Sequence, residues 1–291
     1  FLSQHICGAN MSDPIVWSAF TFQASFWLSL CVAPLCFSHY HRLDSTKGEK
    51  AYWAATFSGV LHAILIVALC VLALYDSPEL MSSSNFFQAS ELSQLCCKVF
   101  IGYILQDFCL SLYYWSTWPG WEANLIHHVM VLIVWWQLTQ GGYAQGPATI
   151  SMLCESSTPF VAMRWYLDKA GMKTGKVYLA NGMLMMISFF IFRVCLYTYM
   201  AVLIYRTQEG FFTIPMLNRC LFLVGYLGGA GLQYFWFAKI LRGAYKTLTS
   251  STPKSHAAER PPAAARESHS KAALLATEPT ATEKEGGKNV K

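Results

Sequence analysis

Charge is scarce in this chain. Of its 291 residues only 13% are Asp, Glu, Lys or Arg, while 54% are hydrophobic, and the mean hydropathy is +0.34. Soluble globular domains carry roughly a quarter charged residues, so an ordinary soluble enzyme or scaffold is excluded and a polytopic membrane protein is expected. Lys and Arg are absent from the N-terminal segment and from the stretches at 76 to 95 and 141 to 146. No cleavable signal peptide is evident. Aromatic residues are missing after about position 246, where Lys, Glu, Ser, Thr, Pro and Ala take over. Such a stretch cannot bury enough apolar surface to offset its chain entropy, so residues 246 to 291 are expected to form a disordered tail. Its surplus of basic charge suits weak attraction to anionic head groups.

What is present are long hydrophobic runs. A span needs about 20 mostly apolar residues, and candidates lie near 15 to 37, 55 to 75, 96 to 117, 123 to 140, 146 to 166, 178 to 205 and 218 to 241. The expected fold is all-α with about seven transmembrane helices. The fifth run holds Glu155-Ser156-Ser157-Thr158-Pro159 at its centre, which hydrocarbon tolerates only where neighbouring helices satisfy the freed backbone. It should therefore be enclosed by the others. Basic residues collect at 38 to 50 (Arg42, Lys47, Lys50), at 164 to 176 (Arg164, Lys169, Lys173, Lys176) and after 241. Short cytosolic loops attract positive charge, so with seven spans the N-terminus is expected in the lumen and the C-terminus in the cytosol.

The cysteines carry little signal, because Cys31, Cys36, Cys70, Cys109, Cys154 and Cys195 fall inside apolar runs, where Cys packs as a small apolar residue. Cys96 and Cys97, at the edge of a run, are candidates for palmitoylation. Asn10-Met11-Ser12 is a glycosylation sequon on the expected lumenal side, too close to the first run to be used. The chain opens on Phe1, which fits a fragment or a reading frame that runs upstream of a start at Met11.

Six ionisable residues lie deep in the apolar runs: His62, Asp107, His127, His128, Glu155 and Arg193. Each costs at least ~2.5 kcal/mol at membrane depth on insertion scales, so they should gather around a shared interior or a wet cavity. Helical spacing places Tyr103, Asp107, Ser111 and Tyr114 on one stripe, Asn124 with His128 on another, Ser151, Glu155 and Thr158 on a third, and Ser58 with His62 on a fourth. Arg193 has only Tyr197 as polar company on its own helix, so Asp107 or Glu155 is its expected counter-ion. A rise of about 1.5 Å per residue sets His127 and His128 within ~10 Å of the cytosolic face and Asp107, Glu155 and His62 at roughly 15 Å. A site at that depth suits a molecule with a charged cytosolic head and a greasy tail, such as a phospholipid or an acyl-CoA, with loop Lys and Arg meeting the head.

Blander roles compete at each position. A lone intramembrane histidine such as His62 most often makes one interhelical hydrogen bond, worth ~0.6 kcal/mol on average. Adjacent histidines stabilise little unless something uses them, and lying about 100° apart only one can point squarely into a cavity. Metal-binding helices present ligands at i and i+4, so the adjacent pair with Asp107 does not argue for a metal, and none is expected. Gly225 and Gly229 have the spacing that lets helices approach closely. Trp115, Trp118, Trp121 and Trp165, with Trp135 and Trp136 toward the other side, read as an interfacial belt.

Three segments carry a family resemblance: Gly102-Tyr103-Ile104-Leu105-Gln106-Asp107, Ile126-His127-His128, and Glu155-Ser156-Ser157-Thr158-Pro159-Phe160-Val161 followed by Arg164-Trp165. Together with Asn181-Gly182-Met183-Leu184 and Phe190-Ile191-Phe192-Arg193 they resemble the TLC domain, named for the TRAM, Lag and CLN membrane proteins, and are most similar to its transmembrane protein 56 type. The similarity covers roughly residues 48 to 245. It implies a segment 1 to 47 holding one extra helix, a domain of six helices forming a barrel around a lipid-sized cavity, and a location in the endoplasmic reticulum.

In the ceramide synthases of that family paired histidines and nearby acids serve acyl transfer. The resemblance therefore implies His127, His128 and Asp107 as catalytic candidates, while the polar stripes and buried charges read from the sequence itself make His62, Tyr103, Ser111, Glu155, Ser156, Ser157 and Arg193 the candidates for lining the cavity. The chain departs from those enzymes after His128, where Val129-Met130-Val131-Leu132 lacks their Thr and Ser-Tyr, and their later His-Asp and Asp residues are missing. The leading expectation is a protein that binds a long-chain lipid or acyl chain in membrane lipid homeostasis. Alternatives are an acyl-CoA-dependent acyltransferase, with acyl-CoA as substrate and no other cofactor, and a lipid carrier or transporter. Membrane lipids are the expected partners and nucleic acid is not; the sequence leaves oligomeric state open.

The charge asymmetry makes a direct prediction. In sealed microsomes an epitope at the N-terminus should resist added protease while one at the C-terminus is digested. Finding both on one side removes the seven-span arrangement.

Overall fold

The computed structural model describes residues 13–82 and 85–250, and the described secondary structure is helical throughout. The expected disordered tail and the sequon fall almost wholly outside these residues. In chain order the helices are α1 (Pro14–Cys36), α2 (Glu49–Asp76), α3 (Glu79–Ser82), α4 (Glu91–Tyr113), α5 (Trp121–Gly141), α6 (Gln145–Met152), α7 (Thr158–Lys169), α8 (Lys176–Phe189), α9 (Leu196–Arg206), α10 (Gln208–Phe211) and α11 (Met216–Ser250). All seven apolar runs are helical, and five helices are long and apolar enough to cross a membrane: α1, α2, α4, the continuous Lys176–Arg206, and Met216–Lys246. The chain is a multi-pass helical membrane protein. Its first unit runs to Lys246; of the second, only the last residues of α11 are described.

Local chemistry sets the helix ends. Asp13 caps α1, its Oδ1 accepting the Ile15 N–H at 2.8 Å ahead of Pro14, a residue that has no N–H to orphan. Ser90 and Ser93 cap α4 reciprocally, each hydroxyl accepting the other's N–H. Gly142 closes α5 at φ +62°, a left-handed geometry that glycine adopts without Cβ strain.

Apolar residues lie on the outside as well as in the core. On α2, Ile64 is 60% exposed and Leu72 54%, whereas Ser58 and His62 are sealed within. Apolar side chains turned outward are what a lipid solvent selects, since lipid tails match them and only polar groups gain from company. Close approach of backbones does much of the packing. A Cβ on Gly102 of α4 would stand 2.3 Å from the Ile15 carbonyl oxygen of α1, and beside it the Ser18 hydroxyl donates to the Val99 carbonyl at 2.7 Å. A Cβ on Gly225 or Gly228 would meet Val134 or Met130 of α5 at 2.1 and 2.7 Å, and one on Gly229 the Tyr197 hydroxyl at 3.1 Å, so Gly225 and Gly229 have the packing role expected of them and Gly228 shares it.

The fifth run is enclosed, and it is broken. Every residue of α6 except Pro147 is buried. Gln145, wholly inaccessible, donates to the Leu138 carbonyl and accepts from the Cys97 thiol. Leu153–Ser157 then forms a 3-10 turn before α7 restarts with Pro159 in its first turn. The palmitoylation expectation needs correction: Cys96 and Cys97 have no exposed surface, so no acyl donor reaches them in the folded chain.

Candidate functional site

A cavity of about 520 Å³ opens among α2, α4, α5, α7 and α8, on the side of the two basic loops. That volume lies within the range of about 300–1,000 Å³ typical of small-molecule sites. Tyr103, Asp107 and Ser111 present the polar seam of α4 to it, and Asn124 faces it from α5. Tyr114, the fourth residue expected on that stripe, turns instead to stack on Trp118 at 4.9 Å between ring centroids.

The paired histidines part company. His128 is buried and its Nε2 lies 3.0 Å from Asp107 Oδ2, tying α5 to the cavity-lining seam of α4. Its Nδ1 is buried without a hydrogen-bond partner. His127 sits about a quarter-turn round the helix with its ring edge-on to Trp236 of α11 at 5.6 Å. Neither histidine lines the cavity; His128 reaches it only through Asp107. An imidazole fixed by a carboxylate through one nitrogen leaves the other available to accept or deliver a proton. Of the two, His128 has that arrangement.

Glu155, Ser156, Ser157 and Arg193, expected in the lining, do not line the cavity themselves; Glu155, Ser157 and Arg193 belong to a network set just behind it. Phe190–Cys195 is a π-helical segment in the run from α8 to α9, a widened turn of the kind often found at functional positions. It carries buried Arg193 toward the 3-10 turn. Arg193 Nε donates to Ser157 Oγ at 2.7 Å, Nη2 to Thr158 Oγ1 at 3.1 Å and Nη1 to Gln233 Oε1 at 3.2 Å. Glu155 supplies the carboxylate, Oε1 lying 3.8 Å from Nη2 while Oε2 accepts from the Thr158 hydroxyl at 2.6 Å. Of the two expected counter-ions, then, Glu155 is the partner and Asp107 is committed to His128. Thr158, which lines the cavity, joins this network to the site.

His62 also stands outside the lining. Its ring stacks on Tyr103 at 3.7 Å and 8° between planes, with Phe22 and Phe100 around it, and neither ring nitrogen has a partner. The hydrogen-bonding role expected of it is replaced by aromatic packing. The Ser58/His62 stripe faces α1, where Ser58 donates to the Phe22 carbonyl and accepts from Ser25. The neighbouring face of α2, Tyr52, Thr56 and Gly59, lines the cavity instead. Its spacing of four and three was legible as a stripe, though it holds no charge to draw attention.

The tryptophans divide in the same way. Trp118 and Trp165, expected as belt anchors, line the cavity with their rings against Tyr52 at 5.3 and 4.9 Å. Trp135 packs in the core on Phe100, while Trp115 and Trp136 stay half exposed. The rim is closed by ion pairs: Lys169 with Glu49, and Lys173 with Asp168 at 2.7 Å. Asp168 holds the Lys173 ammonium above its usual pKa by hydrogen bonding to it. Among the described residues no group of three or more His, Cys, Asp or Glu is arranged to hold a metal.

Comparison with known proteins agrees with this architecture. The family model for the TLC domain matches residues 52–242. TLC domain-containing protein 4-B of Xenopus laevis is 26% identical over 253 residues, covering 82% of this chain and 93% of that protein. TLC domain-containing protein 4 of Homo sapiens is 24% identical over 242 residues, 80% and 88% of the two chains. TLC domain-containing protein 1 of Gallus gallus is 24% identical over 166 residues, 57% and 65%.

The Arg193 network predicts a specific pattern of rescue. Arg193→Leu strands the Glu155 carboxylate and should cost ~3–5 kcal/mol, as breaking a buried pair does, seen as a fall in melting temperature and yield. Adding Glu155→Gln should restore part of the loss and adding Asp107→Asn should not; the reverse outcome assigns the pair wrongly.

Proposed function

This chain belongs to the TLC-domain family, and from that premise we propose that it binds a long-chain lipid or acyl chain in the cavity and acts in membrane lipid homeostasis. The single observation that carries the reading is the cavity of about 520 Å³, apolar over most of its wall and crossed by the Tyr103, Asp107 and Ser111 seam. An amphiphile satisfies both kinds of surface: its chain covers the apolar wall and its polar portion meets the seam. The basic loops around the opening favour a cytosolic mouth, with the N-terminus in the lumen and the membrane that of the endoplasmic reticulum.

A second reading, acyl transfer from acyl-CoA, is favoured by one contact, the 3.0 Å pair of Asp107 and His128. In that reading Asp107 holds the imidazole through Nε2, and Nδ1 accepts the proton of an attacking hydroxyl or amine and returns it to the leaving thiolate. His127 takes no part. A lipid carrier uses the same cavity without the proton transfer.

Two measurements separate these readings. Native mass spectrometry of the protein purified in mild detergent should show one non-covalent long-chain lipid, and Thr56→Trp, which fills the cavity, should expel it. Absence of any lipid, or full occupancy in the filled variant, rejects the binding reading. In membranes supplied with a panel of acyl-CoAs and lipid acceptors, any acyl transfer should fall by about 10²-fold or more in His128→Ala, the usual size of a lost general base, and stay near wild type in His127→Ala. Wild-type transfer no greater than that of empty-vector membranes sinks the enzymatic reading for those donors.

A further inference from the structure

Two arginines lie at membrane depth or at its edge, and they are provided for differently. Arg193 is matched on every side by Glu155, Ser157, Thr158 and Gln233. Arg164, half-buried on α7 and lining the cavity, has no carboxylate within ion-pair distance among the described residues. Its neighbour Asp168 is taken by Lys173, and Asp107, the other carboxylate of the lining, by His128, so neither is paired with Arg164. Arginine is rarely withdrawn from water unless paired.

The guanidinium is nevertheless held in place. It lies over the Tyr178 ring at 3.9 Å, and Nη1 donates to the Tyr178 carbonyl at 3.3 Å. Stacking occupies the flat face and one donor, leaving most of the five in-plane N–H groups for a ligand. Gly182 completes the seat, since a Cβ there would come within 2.5 Å of Arg164 Nη1. A planar cation fixed on an aromatic ring, short of a counter-ion and set in a cavity wall is suited to bidentate recognition of an oxyanion.

We propose that Arg164 anchors the head of the cavity's ligand, and that this head is an oxyanion, a phosphate or a carboxylate, carried on a long apolar chain. The proposal rests on the reading of the cavity as a lipid site and adds the charge and the contact that select among lipids. The oxyanion lies against the Arg164 edge between Trp165 and Tyr178, and the chain runs inward along Tyr52, Gly59 and Tyr103.

The test uses the full chain, purified and delipidated in an uncharged maltoside detergent, with three radiolabelled probes sharing one acyl chain: oleate, oleoyl lysophosphatidic acid and monoolein. In wild type at least one anionic probe should bind about tenfold or more tighter than monoolein, the scale of a charge-assisted hydrogen bond. Comparing oleate with lysophosphatidic acid tells carboxylate from phosphate. Arg164→Gln should level the anionic probes with monoolein while leaving monoolein itself unchanged. Gly182→Ala displaces only the flexible end of Arg164, so it should weaken the same preference even where Arg164→Gln folds poorly. Equal binding of all three probes to wild type, or a preference that survives both substitutions, overturns the anchor while leaving the lipid site standing. Binding of none of the three removes the lipid site and the anchor together.

Discussion

A guanidinium at membrane depth has no solvent to fall back on, and the interior of this protein is arranged around satisfying one. Arg193 bonds to Ser157 and Thr158 at the break of the fifth run and to Gln233 of the last helix, with Glu155 as its counter-charge. Three segments distant in sequence thereby converge at one point. The two irregularities of the helical framework, the 3-10 turn at Leu153–Ser157 and the π-helical Phe190–Cys195, face each other there. Irregular backbone in a bilayer survives only when shielded by protein that satisfies its polar groups. Cys154 does part of that by donating its thiol to the Phe192 carbonyl at 2.9 Å, so each irregular turn helps supply the other's hydrogen bonds.

The cavity adjoins the same break, through Thr158. After the Leu153–Ser157 turn, α7 supplies one wall of the cavity, with α2, α4, α5 and α8 supplying the others, at the end where the basic loops lie. The opposite half is more tightly packed: Ile66, Cys70, Cys96, Cys97, Phe100 and Met152 form one core with Trp135 and Leu138, beside a pocket of only about 40 Å³. The larger hollow thus lies toward the basic loops. Polar residues are graded accordingly, with Arg193 and Glu155 bound into structure, Asp107 at the wall bound to His128 behind it, and Arg164 at the mouth short of a counter-ion.

Much of this was legible in the chain. Low charge and long apolar runs established the class, Pro159 with its polar neighbours marked the enclosed and interrupted run, and the stripe Tyr103, Asp107, Ser111 pointed at the cavity it lines. The site was less legible where residues lacked charge. Tyr52, Thr56, Trp118 and Tyr178 look like ordinary membrane-protein residues, while His62, whose ionisable ring drew attention, is sealed against Phe22, Phe100 and Tyr103 and lines nothing.

Periodicity determines only the direction of a side chain around its own helix axis, and that much the sequence decided alone: the helical class, the segments, and the stripes on which polar residues fall. Which stripe meets which was decided by tertiary structure, because the rotation of one helix against another depends on packing across all its faces. That rotation gave Asp107 to His128 rather than to Arg193, and turned His127 to Trp236. A π-helical turn and a 3-10 turn also shift the phase of everything after them, so a count of 3.6 residues per turn loses its place at Phe190–Cys195 and at Leu153–Ser157. The first of those segments carries Arg193, and the second, with Thr158 just after it, carries all its partners but Gln233.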